Sequence, residues 1–153
     1  MRLTKHFIIQ EFVPKGIWEK YGGRSIWFID YKIVTIAEFF RNRYGKPITI
    51  NDWHKGGNRN QAGLRYWNTS IGASMSQHKF GRADDLKWLS ESMDMNEIRK
   101  DIKNQESEFL ECGLTTIEEG TDSWIHADCR HIGLNHIYFI PFYLKNEKRG
   151  LNS

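Results

Sequence analysis

Apolar residues recur with a helical period in two stretches of this chain, and short strand-like runs lie around them. In residues 31–44, Ile33, Ile36, Phe39 and Phe40 fall on one face, and Tyr44-Gly45-Lys46-Pro47 supplies a Gly-then-Pro stop. Ile48-Thr49-Ile50 follows as a short β-branched strand. The second helix starts at Asp94, which with Glu97 resembles a capping box. Met95, Ile98 and Ile102 continue one face, and the pattern predicts a helix to about Leu110, closed by Cys112-Gly113. Residues 83–89 read as a strand entering the core. Residues 114–118 and 123–130 read as two more, joined by a Gly120-Thr121-Asp122 turn. Residues 137–143 form a further strand or a packed C-terminal segment. Residues 1–30 are mixed, with Pro14 as a break. Residues 51–75 are rich in Asn, Gly, Ser and Trp and read as a long loop, of the kind that carries function in compact domains. The sum is an α+β fold, with helices packed on a small, largely antiparallel sheet.

Composition narrows the picture only a little. At 153 residues, one domain spanning 1–153 is expected, long enough to bury a core without disulfides. A monomer is the default. The formal charge of +3 suits an anionic partner such as nucleic acid or a bacterial cell wall, and selects neither. Without a clustered basic stripe, nucleic acid is not the expected partner. Two cysteines, Cys112 and Cys129, are too few for a disulfide framework and read as buried, reduced thiols. The apolar run Phe7-Ile8-Ile9 is too short for a signal-peptide core, and no stretch approaches membrane-spanning length. The expectation is a chain made in the cytoplasm without membrane insertion, which something else must release if its substrate lies outside.

Candidate chemistry concentrates in Ser76-Gln77-His78-Lys79-Phe80-Gly81-Arg82-Ala83-Asp84-Asp85 and in Trp124-Ile125-His126-Ala127-Asp128-Cys129-Arg130. Two imidazoles and one carboxylate are a usual ligand set for a catalytic zinc ion that keeps a fourth position open for water. His78 and Asp85 are an odd number of residues apart, so one unbroken strand would turn them to opposite sides. Gly81 between them permits the bend that brings both to one point. The Ser76 hydroxyl is placed to hydrogen-bond nearby backbone. Strand alternation puts His126, Asp128 and Arg130 on one face and Ile125, Ala127 and Cys129 on the other. Asp128 is therefore a candidate to fix the tautomer of a ligating histidine.

The pattern Ser76-x-His78-x-x-Gly81-x-Ala83-x-Asp85 resembles the signature of the zinc D-Ala-D-Ala carboxypeptidase family. That family also holds phage L-alanyl-D-glutamate endolysins and vancomycin-resistance dipeptidases, and shares its fold with the hedgehog signalling domain. Trp124-Ile125-His126-Ala127-Asp128-Cys129-Arg130 resembles its second motif. Weaker similarity runs through Leu3 to Phe7, Glu11-Phe12, Gly45 to Ile50 and Gly63-Leu64-Arg65, so the resemblance covers most of residues 3–130. It implies a zinc ion (Zn2+) held by His78, Asp85 and His126, and hydrolysis of peptide bonds in peptidoglycan stem or cross-link peptides. It implies an acid-base carboxylate, Glu118 in the Ile117-Glu118 pair, with Glu119 and Asp122 as alternatives. Some members carry that acid three residues before the last ligand, where this chain has Ser123. It also implies that Arg65, or Arg59 if the alignment slips, binds the substrate carboxylate or the developing oxyanion. The setting it implies is a phage-encoded lysis or tail-associated (virion) enzyme or a cytoplasmic dipeptidase, with the second motif resembling the phage type more closely, and no room after residue 130 for a separate wall-binding domain. The departure at Ser123 keeps a second reading open, a noncatalytic binding module of the same fold. Trp53, Tyr66 and Trp67 are candidates to wall the groove, and His54, His131 and His136 are not expected to be ligands.

Overall fold

A computed structural model describes residues 1–89 and 93–141. Four α-helices and a five-stranded mixed sheet make up its α+β architecture. The helices are α1 (Lys15–Tyr21), α2 (Tyr31–Tyr44), α3 (Met95–Asn104) and α4 (Glu106–Glu111). The strands are β1 (Ile48–Thr49), β2 (Ala83–Trp88), β3 (Thr116–Glu118), β4 (Ile125–Asp128) and β5 (Tyr138–Ile140). They lie in the order β1-β2-β4-β3-β5; the first three pairings are antiparallel, and β5 runs parallel to β3.

Local chemistry explains the long elements. The Asp30 carboxylate accepts from the Lys32 amide and caps α2. Gly45, at φ +64°, closes the helix in the left-handed conformation. Ile33, Val34, Ile36, Ala37 and Phe40 form the buried stripe of α2. Asp94 caps α3 through the Asn96 amide, and Met95, Ile98 and Ile102 are buried as their spacing requires.

Two elements differ from the sequence expectation. Pro14 does not end structure but starts it, standing as N-cap of α1. Proline's fixed φ suits a helix start, and α1 has no buried residue, so it has no periodic signature to read. The helix expected over 94–110 breaks at Gln105, where φ is −121°. Tertiary packing accounts for the break. Phe109 on α4 packs on Phe39 and Phe40 with ring centroids 5.1 and 5.3 Å away. The Arg43 guanidinium bridges Asp101 on α3 and Glu108 on α4, each at 2.6 Å. The last expected strand is present as β5; residues 142–143 of that segment lie outside the described residues.

The sheet has one apolar and one polar face. Asp84 with Ala127, Leu86 with Ile125, and Ile48 with Trp88 are paired across strands, so they share a face; Ile117, paired with Ala127, joins them. That face enters the core with the buried stripes of α2 and α3. The opposite face carries Ala83, Asp85, His126, Asp128 and Thr116. Cys112 and Cys129 are both free thiols, Cys129 buried and Cys112 partly so. Burial pushes them up to about 11 and about 12 respectively, which keeps both protonated at neutral pH.

Candidate metal centre

Asp85 and His126 meet as cross-strand partners of β2 and β4. The β3–β4 register pairs Thr116 with Asp128 and Ile117 with Ala127. Continued by one position, it sets Glu118 opposite His126. Asp85, His126 and Glu118 thus form one row across three strands, on the polar face. Glu119 points the other way and pairs with Lys103 at 3.2 Å, and Asp122 is exposed in the turn.

His78 reaches the same point from a 3-10 turn, Gln77–Phe80, that precedes β2. Gly81 ends the turn at φ +66°, a conformation that L side chains rarely adopt. A Cβ there would sit 2.1 Å from the Phe28 carbonyl oxygen, so only glycine lets the chain turn so close to its neighbour. The odd spacing of His78 and Asp85 is resolved by this bend. Ser76 is the residue at the head of the turn, but its hydroxyl makes no capping bond; its carbonyl accepts from Lys79 N instead.

The three donor atoms form a tight triangle. His78 Nε2 lies 3.1 Å from His126 Nδ1. Asp85 Oδ1 lies 3.3 Å from His78 Nε2 and 3.0 Å from His126 Nδ1. A tetrahedral ion with bonds of about 2.0–2.1 Å needs donors about 3.3 Å apart. The described residues thus contain a His78–Asp85–His126 group whose size fits such an ion.

Each imidazole is also oriented from behind. His78 Nδ1 donates to the Gly63 carbonyl at 2.7 Å, leaving Nε2 to face the triangle. His126 Nε2 faces Asp128 Oδ2 at 3.3 Å, leaving Nδ1 for the same point. Asp128 is completely buried and is itself clasped by the Arg130 backbone amide and guanidinium. Asp85 is pinned at both ends: Arg65 Nη2 donates to its Oδ2 at 2.8 Å, and Arg59 Nη2 to its backbone carbonyl at 2.9 Å. Arg65, not Arg59, brings its guanidinium to the carboxylate; Arg59 is spent on the Ile50 and Asp85 carbonyls.

Electrostatics follow from burial against pairing. Burial opposes the Asp85 charge, but the His78 and His126 imidazoles outweigh it and hold the carboxyl well below its usual range. Burial also disfavours the His126 cation, yet the hydrogen bonds to Asp128 and Asp85 dominate and raise it to about 10. Burial lowers His78. Asp85 is thereby held as an anion between the two imidazoles and Arg65, with an oxygen lone pair turned to the same point as the imidazole nitrogens. The Glu118 charge acts on both Arg65 and His126, consistent with its place in the row.

A cleft of about 210 Å3 opens beside Asp85, lined by Arg59, Asn60, Gln61, Ala62, Ile71 and Trp124. Trp124 was visible only as the aromatic of the second motif, and its place in the cleft depends on the 59–71 segment, which is bonded to β2 through Asp85 N and the Ala62 carbonyl. Of the aromatics expected to wall the groove, Trp53 donates to the Val13 carbonyl and the Tyr66 hydroxyl accepts from Gly16 N, so both serve packing. Trp67 remains exposed. His54, His131 and His136 take no part in the group of donors. Among the described residues no helix is long and apolar enough to cross a membrane. No family model, curated protein or solved structure matches the chain.

Proposed function

We propose that this protein is a zinc-dependent peptidase that hydrolyses peptide bonds in bacterial peptidoglycan, with the hedgehog-like fold of the D-Ala-D-Ala carboxypeptidase and endolysin family. The observation that carries the reading is the donor triangle of His78, Asp85 and His126, with each imidazole's other nitrogen already engaged. Structural zinc sites are closed by four protein ligands, whereas three leave a position for water. The two motifs that resemble the family supply the choice of zinc and of substrate.

When bound, the ion supplies Lewis acidity to the scissile carbonyl and lowers the pKa of water. The chain's own residues do the rest. Glu118, next to His126 in the sheet row, takes the water proton and returns it to the leaving amine. Arg65 holds the Asp85 carboxylate in position, and its charge beside the metal group suits a substrate carboxylate or the developing oxyanion. Asp128 keeps the proton of His126 on Nε2.

Ser123, at the position where some family members have the acid, favours one alternative, a noncatalytic module that binds the wall. One experiment separates the two. Metal content and release of amino groups from purified peptidoglycan are measured for the parent, His78→Ala and Glu118→Gln. The expected result is one zinc per chain and hydrolysis in the parent, loss of both in His78→Ala, and retained zinc with turnover about 100-fold or more lower in Glu118→Gln. Zinc without product from any wall type supports the binding module. A parent without metal refutes both the ligand assignment and the enzyme.

A further inference from the structure

Trp67 and Phe80 are exposed, yet not independent. Trp67 is 62% and Phe80 36% exposed, and their rings meet edge to face with centroids 5.4 Å apart. The Lys79 ammonium lies 5.9 Å from the indole centroid. Single exposed apolar residues are ordinary, but a paired aromatic surface with a cation on it is a feature of recognition sites. Its base is fixed. Tyr66, next to Trp67, accepts from Gly16 N through its hydroxyl and donates its own amide to Gln61 Oε1. Arg65 N donates to the His78 carbonyl at 3.0 Å, which ties together the two segments that carry the pair. Trp67 and Phe80 follow Arg65 and His78 by two residues each. At about 3.3–3.6 Å per residue at most, they stand within about 7 Å along the chain of the residues that build the metal centre.

We propose that Trp67, Phe80 and Lys79 form a binding platform for the glycan strand of peptidoglycan, a β-linked amino-sugar polymer bearing carboxylates. The proposal rests on the peptidase reading above for its choice of polymer. The apolar C–H face of a β-linked pyranose matches an indole in size and polarity. The stem-peptide carboxylates, and the lactyl carboxylates of sugars that carry no peptide, supply the charge complementary to Lys79. Because the two segments that carry the pair also carry Arg65 and His78, a sugar held on the platform brings its attached peptide toward the metal centre. An enzyme with this device prefers glycan-linked peptide to free stem peptide.

The test uses the full chain with its metal. Binding is measured by titration calorimetry against peptide-free glycan strands, chito-oligosaccharide, a single-stranded oligonucleotide and anionic vesicles. Hydrolysis of glycan-linked and free stem peptide is followed in parallel. The parent is expected to bind the glycan strands. Trp67→Ala and, separately, Phe80→Ala are expected to weaken that binding about five- to ten-fold and to lower the ratio of kcat/KM for linked over free peptide. Lys79→Ala is expected to remove the preference for carboxylated glycan over chito-oligosaccharide. Thermal midpoints confirm that the variants fold. Hydrolysis of stem peptide by a parent that ignores the glycan overturns the platform and leaves the peptidase reading standing. Glycan binding lost in Trp67→Ala, in a parent that hydrolyses nothing, supports the platform and overturns the peptidase. Binding only to the oligonucleotide or the vesicles, or a self-association that Trp67→Ala abolishes, overturns the platform.

Discussion

Asp128→Asn tests the centre at its most specific point. The substitution keeps shape and volume, so the buried position remains filled. What changes is the pattern of donors and acceptors. Asp128 offers only lone pairs, accepting from the Arg130 amide and guanidinium and from His126 Nε2. An asparagine has one oxygen and one donor amide. If the oxygen stays with Arg130, the amide group faces His126 Nε2, which must become an acceptor. The imidazole proton then moves to Nδ1, the atom that lies 3.0 Å from Asp85 Oδ1 and 3.1 Å from His78 Nε2. The variant must pay to restore the ligating tautomer. Loss of such an outer partner lowers metal affinity about 10- to 100-fold, or about 1.4–2.7 kcal/mol. Competition with a chromophoric chelator at constant pH measures this directly, and the melting temperature of the metal-free form shows that the fold is intact. A folded variant with an affinity within two-fold of the parent would refute the argument that Asp128 sets the tautomer.

Two further substitutions probe how the sheet presents the site. Gly81→Ala places a methyl group 2.1 Å from the Phe28 carbonyl oxygen and forces L stereochemistry into φ +66°. The left-handed conformation alone costs about 1–2 kcal/mol, so a fall in melting temperature of at least about 2 °C is expected, together with weakened metal binding as His78 shifts from Asp85. Gly56→Ala, at φ +87° with nothing within 4 Å, is the control and should leave metal affinity unchanged. Equal affinity in the two variants would show that Gly81 does not set the centre. Asp84→Asn tests the other face of β2. Asp84 is fully buried, and its Oδ2 has no hydrogen-bond partner among the described residues. Burial first, and then the neighbouring Asp85 charge, push its carboxyl well above the usual range. A carboxyl whose pKa is higher folded than unfolded costs nothing below its unfolded value, near 4, and destabilises the fold progressively as pH rises toward the folded value. The stability of Asp84→Asn relative to the parent should therefore grow with pH above about 4, by up to about 1.4 kcal/mol per pH unit. Denaturant melts of the chelated proteins from pH 4 to 8 check this, and a pH-independent difference would refute it.

Residues that act locally were legible in the sequence. Gly45 and Asp94 mark helix ends through backbone geometry or bonds a few positions away, and the structure uses each as a stop or cap; Asp30, the cap of α2, went unread. His78, Gly81 and Asp85 were legible together because an odd spacing interrupted by glycine has few solutions that bring both side chains to one point. What stayed hidden depends on pairing across the sheet. Glu118, Glu119 and Asp122 are equivalent as letters; only the register of β3 on β4 puts Glu118 in the row of His126 and turns Glu119 toward Lys103. Arg65 and Arg59 are likewise distinguished by the fold, which sends one guanidinium to the Asp85 side chain and the other to carbonyls. The Gly63 carbonyl that orients His78 is a backbone atom, and carries no letter at all. The break at Gln105 needed Phe39, Phe40 and Arg43, all on another helix. The adjacent pair Asp84-Asp85 shows the same limit most sharply. Strand alternation sends one carboxylate to the imidazoles and the other into the apolar layer with Ala127. The first is stabilised as an anion by two imidazoles and Arg65. The second lies among side chains that give its Oδ2 no partner, and burial pushes its carboxyl well above the usual range. Two identical neighbours are thus shifted in opposite directions for one geometric reason. An aspartate at 84 is not required to build the centre, and its removal should separate stability from metal binding.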